Sequence, residues 1–346
     1  MLGREAFGAV MDLTSIPDVS APLPWQGDTW SRLTQQMEDE QLPHALLVSG
    51  PEFTGKSSLA MALARLLLCA KPVDGLNCGS CHPCRLSAGG SHGDFRWLEP
   101  EGKSRVIKID QIRSVVDFSN RTAGFGVRKV VVIAPAETMT MSAANSLLKV
   151  LEEPPPDTYL ILVCHRSQGL PATIRSRCQQ LRLAMPPRAQ SLAWLEPLSG
   201  SAEMSENLLE LAAGRPLLAA QLHGQSGVER LRDASVAMTA LFNGRGGVLP
   251  LAAALAEEEL ESALAQLLGG IEALLRNLDG PRLQTVQARA AFNILDDIRQ
   301  VQRAIDGGSN PNRQMLLDAM FAKVQRVLGD GGLGDNIGAN PGGAHQ

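Results

Sequence analysis

Aromatic residues are scarce in this chain: eight Phe, four Trp and a single Tyr stand among 346 residues. So few rings argue against a platform that stacks the bases of a single strand. Positive charge is not in surplus either. Lys and Arg number 32 against 36 Asp and Glu, giving a net charge of −4 and a pI near 5.9. That argues against a strongly basic nucleic-acid binder and leaves room only for a local basic face. No apolar run approaches the ~18 residues of a membrane span. The first twenty residues, MLGREAFGAVMDLTSIPDVS, scatter acids among apolar residues and lack the apolar stretch of a secretory signal. Met11 offers a second candidate start. With secretion unexpected, the six cysteines are expected to be thiols or metal ligands in the cytoplasm rather than disulfides.

What remains is an ordinary folding composition, 44% hydrophobic and 20% charged, long enough for two or three domains. Residues 1–24, with Pro17, Pro22 and Pro24, suggest a poorly ordered lead-in. From about Trp25 to Ala184, short apolar runs alternate with amphipathic stretches. ALLVS (45–49), FRWL (95–98), KVVVIA (129–134) and YLILVC (159–164) read as strands. Residues 57–68, 109–118 and 142–151 have helical spacing. Strands that are apolar throughout, separated by helices, predict a parallel sheet covered on both faces. After Pro186–Pro187 strand signals vanish, and Leu and Ala recur at helical spacing. Helices are expected over 206–213, 216–223, 228–242, 260–278, 286–306 and 314–328, punctuated by glycines. Residues 329–346, rich in Gly and Asn, read as a disordered tail.

GPEFTGKS, residues 50–57, fits the pattern G-x-x-x-x-G-K-[ST] and lies between a predicted strand and a predicted helix. That context suits a phosphate cradle: glycines let backbone amides turn inward, and the helix N-terminus adds favourable partial charge. Gly50, Pro51, Thr54, Gly55, Lys56 and Ser57 are the candidate nucleotide-binding residues. Lys56 would reach the β- and γ-phosphates, and Ser57 would ligate Mg²⁺. Hydrolysis further needs an acid at the end of another strand. The strand KVVVI continues into Ala134-Pro135-Ala136, with no acid there. Glu137 comes three residues late and reads as a surface charge.

Cys69, Cys78, Cys81 and Cys84 give C-x8-C-x2-C-x2-C. Four thiolates at this density fit a closed, structural Cys₄ site for Zn²⁺. An iron–sulfur cluster and free thiols are the alternatives, and the Cys-Pro that follows such spacing in ferredoxins is missing. His82 and His92 read as bystanders, and Cys164 as core.

Together the phosphate loop, the Cys₄ insertion, SAANSLLKVLEEPPPDTYLILVC (142–164) and LPATIRSRCQQL (170–181) resemble the AAA+ subunits of the bacterial clamp loader, part of the DNA polymerase III holoenzyme. The resemblance covers roughly residues 25–225. It implies an α/β AAA+ module with a zinc insertion (1–184, zinc at about 69–84), a small helical lid (185–226) and an all-α collar for oligomerisation (227–330). It also implies a cytoplasmic loader of five subunits that places a sliding clamp on primed DNA, within a DNA-directed DNA polymerase, a nucleotidyltransferase complex.

The hydrolysing subunits of that family carry Asp-Glu where this chain has Ala134 and Pro135, a Thr near Cys164, and a lid Arg where it has Leu217. The resemblance therefore implies a non-hydrolysing subunit. Its intact phosphate loop leaves bound ATP or ADP open. In Ser176-Arg177-Cys178, the resemblance makes Arg177 an arginine finger acting on a neighbour's nucleotide. An ATP-hydrolysing motor subunit is the alternative. A zinc-containing DNA-binding protein acting alone is a third reading.

Overall fold

The computed structural model describes residues 17–102, 104–126, 128–224, 228–242, 247–256, 260–276, 278–306 and 311–328. These form two compact units. One comprises the chain up to Glu206 together with Gly214–Gln221; the other comprises Asn207–Ala213 and the chain from Leu222 onward.

In the first unit the elements run α1 (Gly27–Glu38), β1 (Ala45–Ser49), α2 (Lys56–Leu68), α3 (His82–Ala88), β2 (Phe95–Leu98), α4 (Ile109–Ser119) and β3 (Lys129–Ile133). They continue with α5 (Met141–Glu152), β4 (Thr158–Cys164), α6 (Ala172–Arg175), β5 (Gln179–Arg182) and α7 (Arg188–Ser199). The five strands form one sheet in the order β2-β3-β4-β1-β5. Every pairing is parallel. All residues of β1 and β3 are buried, as a sheet covered on both faces requires.

Two cores flank this sheet. Helix α2 packs Leu59, Leu63 and Leu66 against one face, beside Val48, Val132 and Val163. Helices α4 and α5 cover the other with Ile112, Val115, Leu147 and Leu151, over Leu47, Val131 and Leu162. The alternation of neighbouring strand residues between the two clusters follows from the period-two pleat. Helix α5 begins where Thr140 Oγ1 accepts the Ala143 N–H at 3.2 Å, a side-chain N-cap. A run of three prolines, Pro154–Pro156, follows its end. This is the α/β module with a parallel sheet that the AAA+ resemblance implies.

The lead-in differs from expectation. Residues 17–24 are not loosely held. Arg65, fully buried in α2, donates through Nη1 to Pro17 O and to Ser20 Oγ, and through Nη2 to Asp18 O at 2.9 Å. Asn77 closes the other side: Oδ1 accepts the Ser20 N–H and Nδ2 donates to Asp18 O, both at 2.8 Å. A proline-rich segment makes few backbone ladders, so these side chains supply its hydrogen bonds. Residues 1–16 and the tail over 329–346 lie outside the described residues.

The remaining helices are α8 (Ala202–Leu211), α9 (Pro216–Gly224), α10 (Val228–Phe242), α11 (Leu249–Ala254), α12 (Leu260–Arg276), α13 (Gly280–Leu283), α14 (Val286–Asp306) and α15 (Arg313–Leu328). The second unit has its own core, centred on Leu241, Leu264, Leu267, Ile294 and Val324. No described helix is long and apolar enough to cross a membrane. Helices α1, α3, α7, α11 and α13 had no counterpart in the sequence reading.

Candidate nucleotide and metal sites

The phosphate loop leaves the C-terminal end of β1 and enters α2 at Lys56. Two glycines make its path possible. A Cβ on Gly50 would stand 2.2 Å from Leu183 O, and Gly55 has φ +84 with Leu23 Cδ1 2.2 Å from where a Cβ would be. Only glycine fits either place. The outer side of the loop is clamped by the turn Pro24–Gln26. Trp25 Nε1 donates to Thr54 O at 3.0 Å. Gln26 Nε2 donates to Thr54 O at 3.2 Å and to Gly55 O at 2.9 Å.

Lys56 is buried, and its Nζ donates to Pro51 O. Burial lowers its pKa to about 8, with Glu52, Glu137 and Cys164 opposing the fall and Arg215 adding to it. Ser57 is half-buried on the first turn of α2. Ala134 and Pro135 follow β3 with no acid between them, as read from the sequence.

Two further groups near Lys56 are findings of the tertiary structure. Glu137 is not a surface charge. It sits in the short turn Ala136–Thr138, and its Oε1 accepts the N–H groups of His165 at 2.8 Å and Arg166 at 3.2 Å. Its Oε2 is buried without a hydrogen-bond partner. Burial pushes the Cys164 thiol up, and the adjoining Glu137 carboxylate pushes it further. His165 is held down to about 4, chiefly by burial and then by the Lys56 charge. It is therefore neutral at pH 7. The second group is Arg215. Leu217 is buried and apolar, but Arg215, two residues earlier, is close enough for its charge to act on Lys56. Neither signal was legible in a local motif.

The four cysteines converge. Cys69 follows α2, Cys78 lies in the connecting turn, Cys81 caps α3 and Cys84 lies within it. Their Sγ atoms all lie within 4.8 Å of one another. Cys69 and Cys81 are 3.9 Å apart, Cys78 and Cys84 4.0 Å. A tetrahedron of sulfurs about 2.3 Å from Zn²⁺ has edges of about 3.8 Å, close to these two separations, so the chemistry and spacing of the four donors fit that ion. Backbone N–H groups point at the sulfurs, from Cys78 to Cys69 at 3.3 Å and from Cys81 to Cys78 at 3.4 Å. Such donors favour thiolate. The Cys78 thiol is lowered to about 6 mainly by the N–H groups of Cys81 and Ser80. Burial pushes Cys69 up to about 12. Neither His82 nor His92 joins the cluster; His92 Nδ1 instead accepts the Asp94 N–H at 3.1 Å.

Arg177 lies at the surface between α6 and β5. Its Nη2 is 2.6 Å from Glu152 Oε1, and its Nη1 donates to Thr173 O at 2.9 Å. Glu152 is the last residue of α5. The guanidinium is thus held by its own chain and still exposed along one side.

The model of the family described as DNA polymerase III, delta subunit, matches residues 25–187. The DNA polymerase III subunit delta' of Pseudomonas aeruginosa is 42% identical over 245 residues, 66% of this chain and 73% of that protein. Among solved structures, a DNA polymerase III gamma subunit-related protein from Thermotoga maritima covers 86% of this chain and 99% of its own, at 21% identity and a TM-score of 0.45. The subunit delta' of Escherichia coli strain K12 is 31% identical over 328 residues, which span 89% of this chain and 96% of that protein. Identity at that level over nearly the whole relative establishes that the chain belongs to the DNA polymerase III delta' subunit family.

Proposed function

We propose that this chain is a non-hydrolysing subunit of a cytoplasmic clamp loader. It would assemble with other loader subunits, five in all, to place a sliding clamp on primed DNA. Residues 1–184 would serve as the AAA+ module, 185–226 as the lid and 227–330 as the collar that joins neighbouring subunits. Cys69, Cys78, Cys81 and Cys84 would hold a structural Zn²⁺. Gly50, Pro51, Thr54, Gly55, Lys56 and Ser57 would bind ATP or ADP without turnover.

The observation that carries this reading is the pairing of an intact loop with a strand ending in Ala134-Pro135. In phosphoryl transfer the protein supplies positioning and charge, and the acid at that place holds Mg²⁺ and orients the attacking water. Without it the loop binds and does not turn over. Arg177 would act in trans, because its planar, permanently charged guanidinium suits two phosphate oxygens. The ion pair with Glu152 is no obstacle: an exposed pair of this kind is worth about 0–1 kcal/mol, less than a phosphate would offer.

Arg177→Ala in the assembled loader tests the reading. The complex is expected to form with full zinc and lose ATPase by roughly 10³-fold or more, as for other arginine fingers. Unchanged ATPase and clamp loading would overturn the role in trans. ATP turnover by the purified chain, abolished by Lys56→Ala, would favour the motor-subunit alternative instead.

A further inference from the structure

Glu137 has two oxygens in different circumstances. Oε1 is satisfied by two backbone N–H groups at the end of β4, while Oε2 is buried with no close donor, the Cys164 thiol, a weak donor, being the other group that hydrogen-bonds the carboxylate. Buried polar atoms without partners are uncommon and call for an explanation. A staple between the β3 turn and β4 needs one acceptor oxygen, and a thiol is a weak donor, so the carboxylate keeps acceptor capacity that the fold does not use. The side chain is also closely confined: a Cβ on Gly169 would stand 3.1 Å from Glu137 Cβ.

Its position gives the second oxygen a use. Glu137 is bound at His165 N, one residue past Cys164, and Cys164 is the register partner of Ser49 at the end of β1. The phosphate loop begins at the next residue, Gly50. Neighbouring strands lie about 4.8 Å apart, so the carboxylate stands one strand over from the loop. That is at the carboxyl edge of the sheet, where α/β proteins bind ligands. The influence of its charge on Lys56 agrees with this placement. Mg²⁺ keeps several of its waters and is commonly held through carboxylates and substrate phosphates. A fixed carboxylate oxygen near the loop is an acceptor for such a water.

We propose that Glu137 makes the loop selective for the Mg²⁺ form of the nucleotide, its Oε2 accepting a hydrogen bond from a Mg²⁺-bound water. It takes over the metal-holding part of the missing strand-end acid from a different point on the chain. This rests on the reading of Gly50–Ser57 as a nucleotide site. The carboxylate anchors the metal's hydration shell when Mg²⁺ is present, and repels the bare triphosphate when it is not. The two effects have opposite signs, which separates them from a purely structural role.

The test is calorimetric titration of the full zinc-loaded chain with ATP, with Mg²⁺ and in buffer freed of Mg²⁺ by desalting, so that no chelator reaches the Cys₄ site. The wild type is expected to bind Mg–ATP at least roughly ten-fold more tightly than free ATP, as a charge-assisted hydrogen bond of ordinary strength would give. Glu137→Gln keeps an acceptor for His165 and Arg166. It should weaken Mg–ATP about ten-fold and leave free ATP unchanged or tighter. Equal loss of both forms, or no loss of either, would mark Glu137 as a staple and overturn the proposal. So would a wild type that binds both forms alike, whatever the variant does. Lys56→Ala should remove both affinities. A wild type that binds neither form defeats the nucleotide reading itself, and this proposal with it.

Discussion

At the scale of single residues, burial decides more than sequence motif. Lys56 belongs to a contiguous pattern, yet its chemistry comes from enclosure, which lowers its pKa to about 8. The unfolded value is 10.5, so between these limits the unfolded chain holds a proton that the folded chain has lost. The burial penalty on the ammonium is fully present below about pH 8 and is relieved as pH rises toward 10.5. A bound phosphate would favour the ammonium and raise its pKa again. ATP binding at about pH 9 is therefore expected to take up protons, seen as a dependence of the binding enthalpy on buffer ionisation enthalpy and lost in Lys56→Ala. Arg177 shows the converse. Its partner Glu152 is half exposed, at 49% of the side chain, so Glu152→Gln should move the unfolding free energy by no more than about 0.5 kcal/mol. A larger change in a denaturant titration would mean that this pair stabilises the fold.

At the scale of elements, the metal module and the lead-in are one assembly. Arg65 donates to Cys84 O at 3.3 Å and to Ser87 Oγ at 3.2 Å while holding residues 17–20. Asn77 reaches Cys84 Sγ at 3.5 Å from the other side. A few residues on, Trp25 and Gln26 hold the phosphate loop. Since metal binding contributes folding free energy to the residues around it, Cys81→Ser should release zinc and loosen more than its own turn. Hydrogen exchange is expected to speed up over 69–98 and over 17–26, with α14 and α15 unaffected. Elemental analysis of the wild type should give one zinc per chain. Iron, or no metal, would sink the assignment.

At the scale of the whole molecule, the two units have separate hydrophobic cores, so damage to one should be felt first in that unit. Leu264→Ala removes a fully buried side chain from the helical core and should cost that unit about 2–5 kcal/mol. Leu147→Ala, between α5 and the sheet, should do the same to the other. The check is thermal unfolding followed at once by circular dichroism and by zinc release. Leu264→Ala should lower the helical transition and leave the temperature of zinc release in place. Coincident shifts in both signals would show that the units unfold together.

How much of this was legible beforehand follows from where the information lies. The central strands β1, β3 and β4 and the long Leu/Ala helices could be read directly, because a strand buried on both faces must be apolar throughout and a helical stripe must recur with its turn. The phosphate loop and the four cysteines could be read because their groups are close in sequence and their chemistry demands those residue types. Helices α1 and α7 escaped because their apolar stripes are narrow, with only Trp30 and Leu33 buried in one and Ser191 and Leu195 in the other. Residues 17–24 passed for a loose lead-in because the groups that hold them, Arg65 and Asn77, lie 45–59 positions away. Glu137 passed for a surface charge because its partners, His165 and Arg166, lie just past the end of β4, nearly thirty positions away. Arg215 reaches the neighbourhood of Lys56 only through the fold. The sequence by itself determined the central strands, the long helices and the two motifs, since periodicity and local spacing are properties of the chain. Only the tertiary structure decided that the Glu137 carboxylate and the Arg215 guanidinium act on Lys56, because charge acts through space and not along the chain.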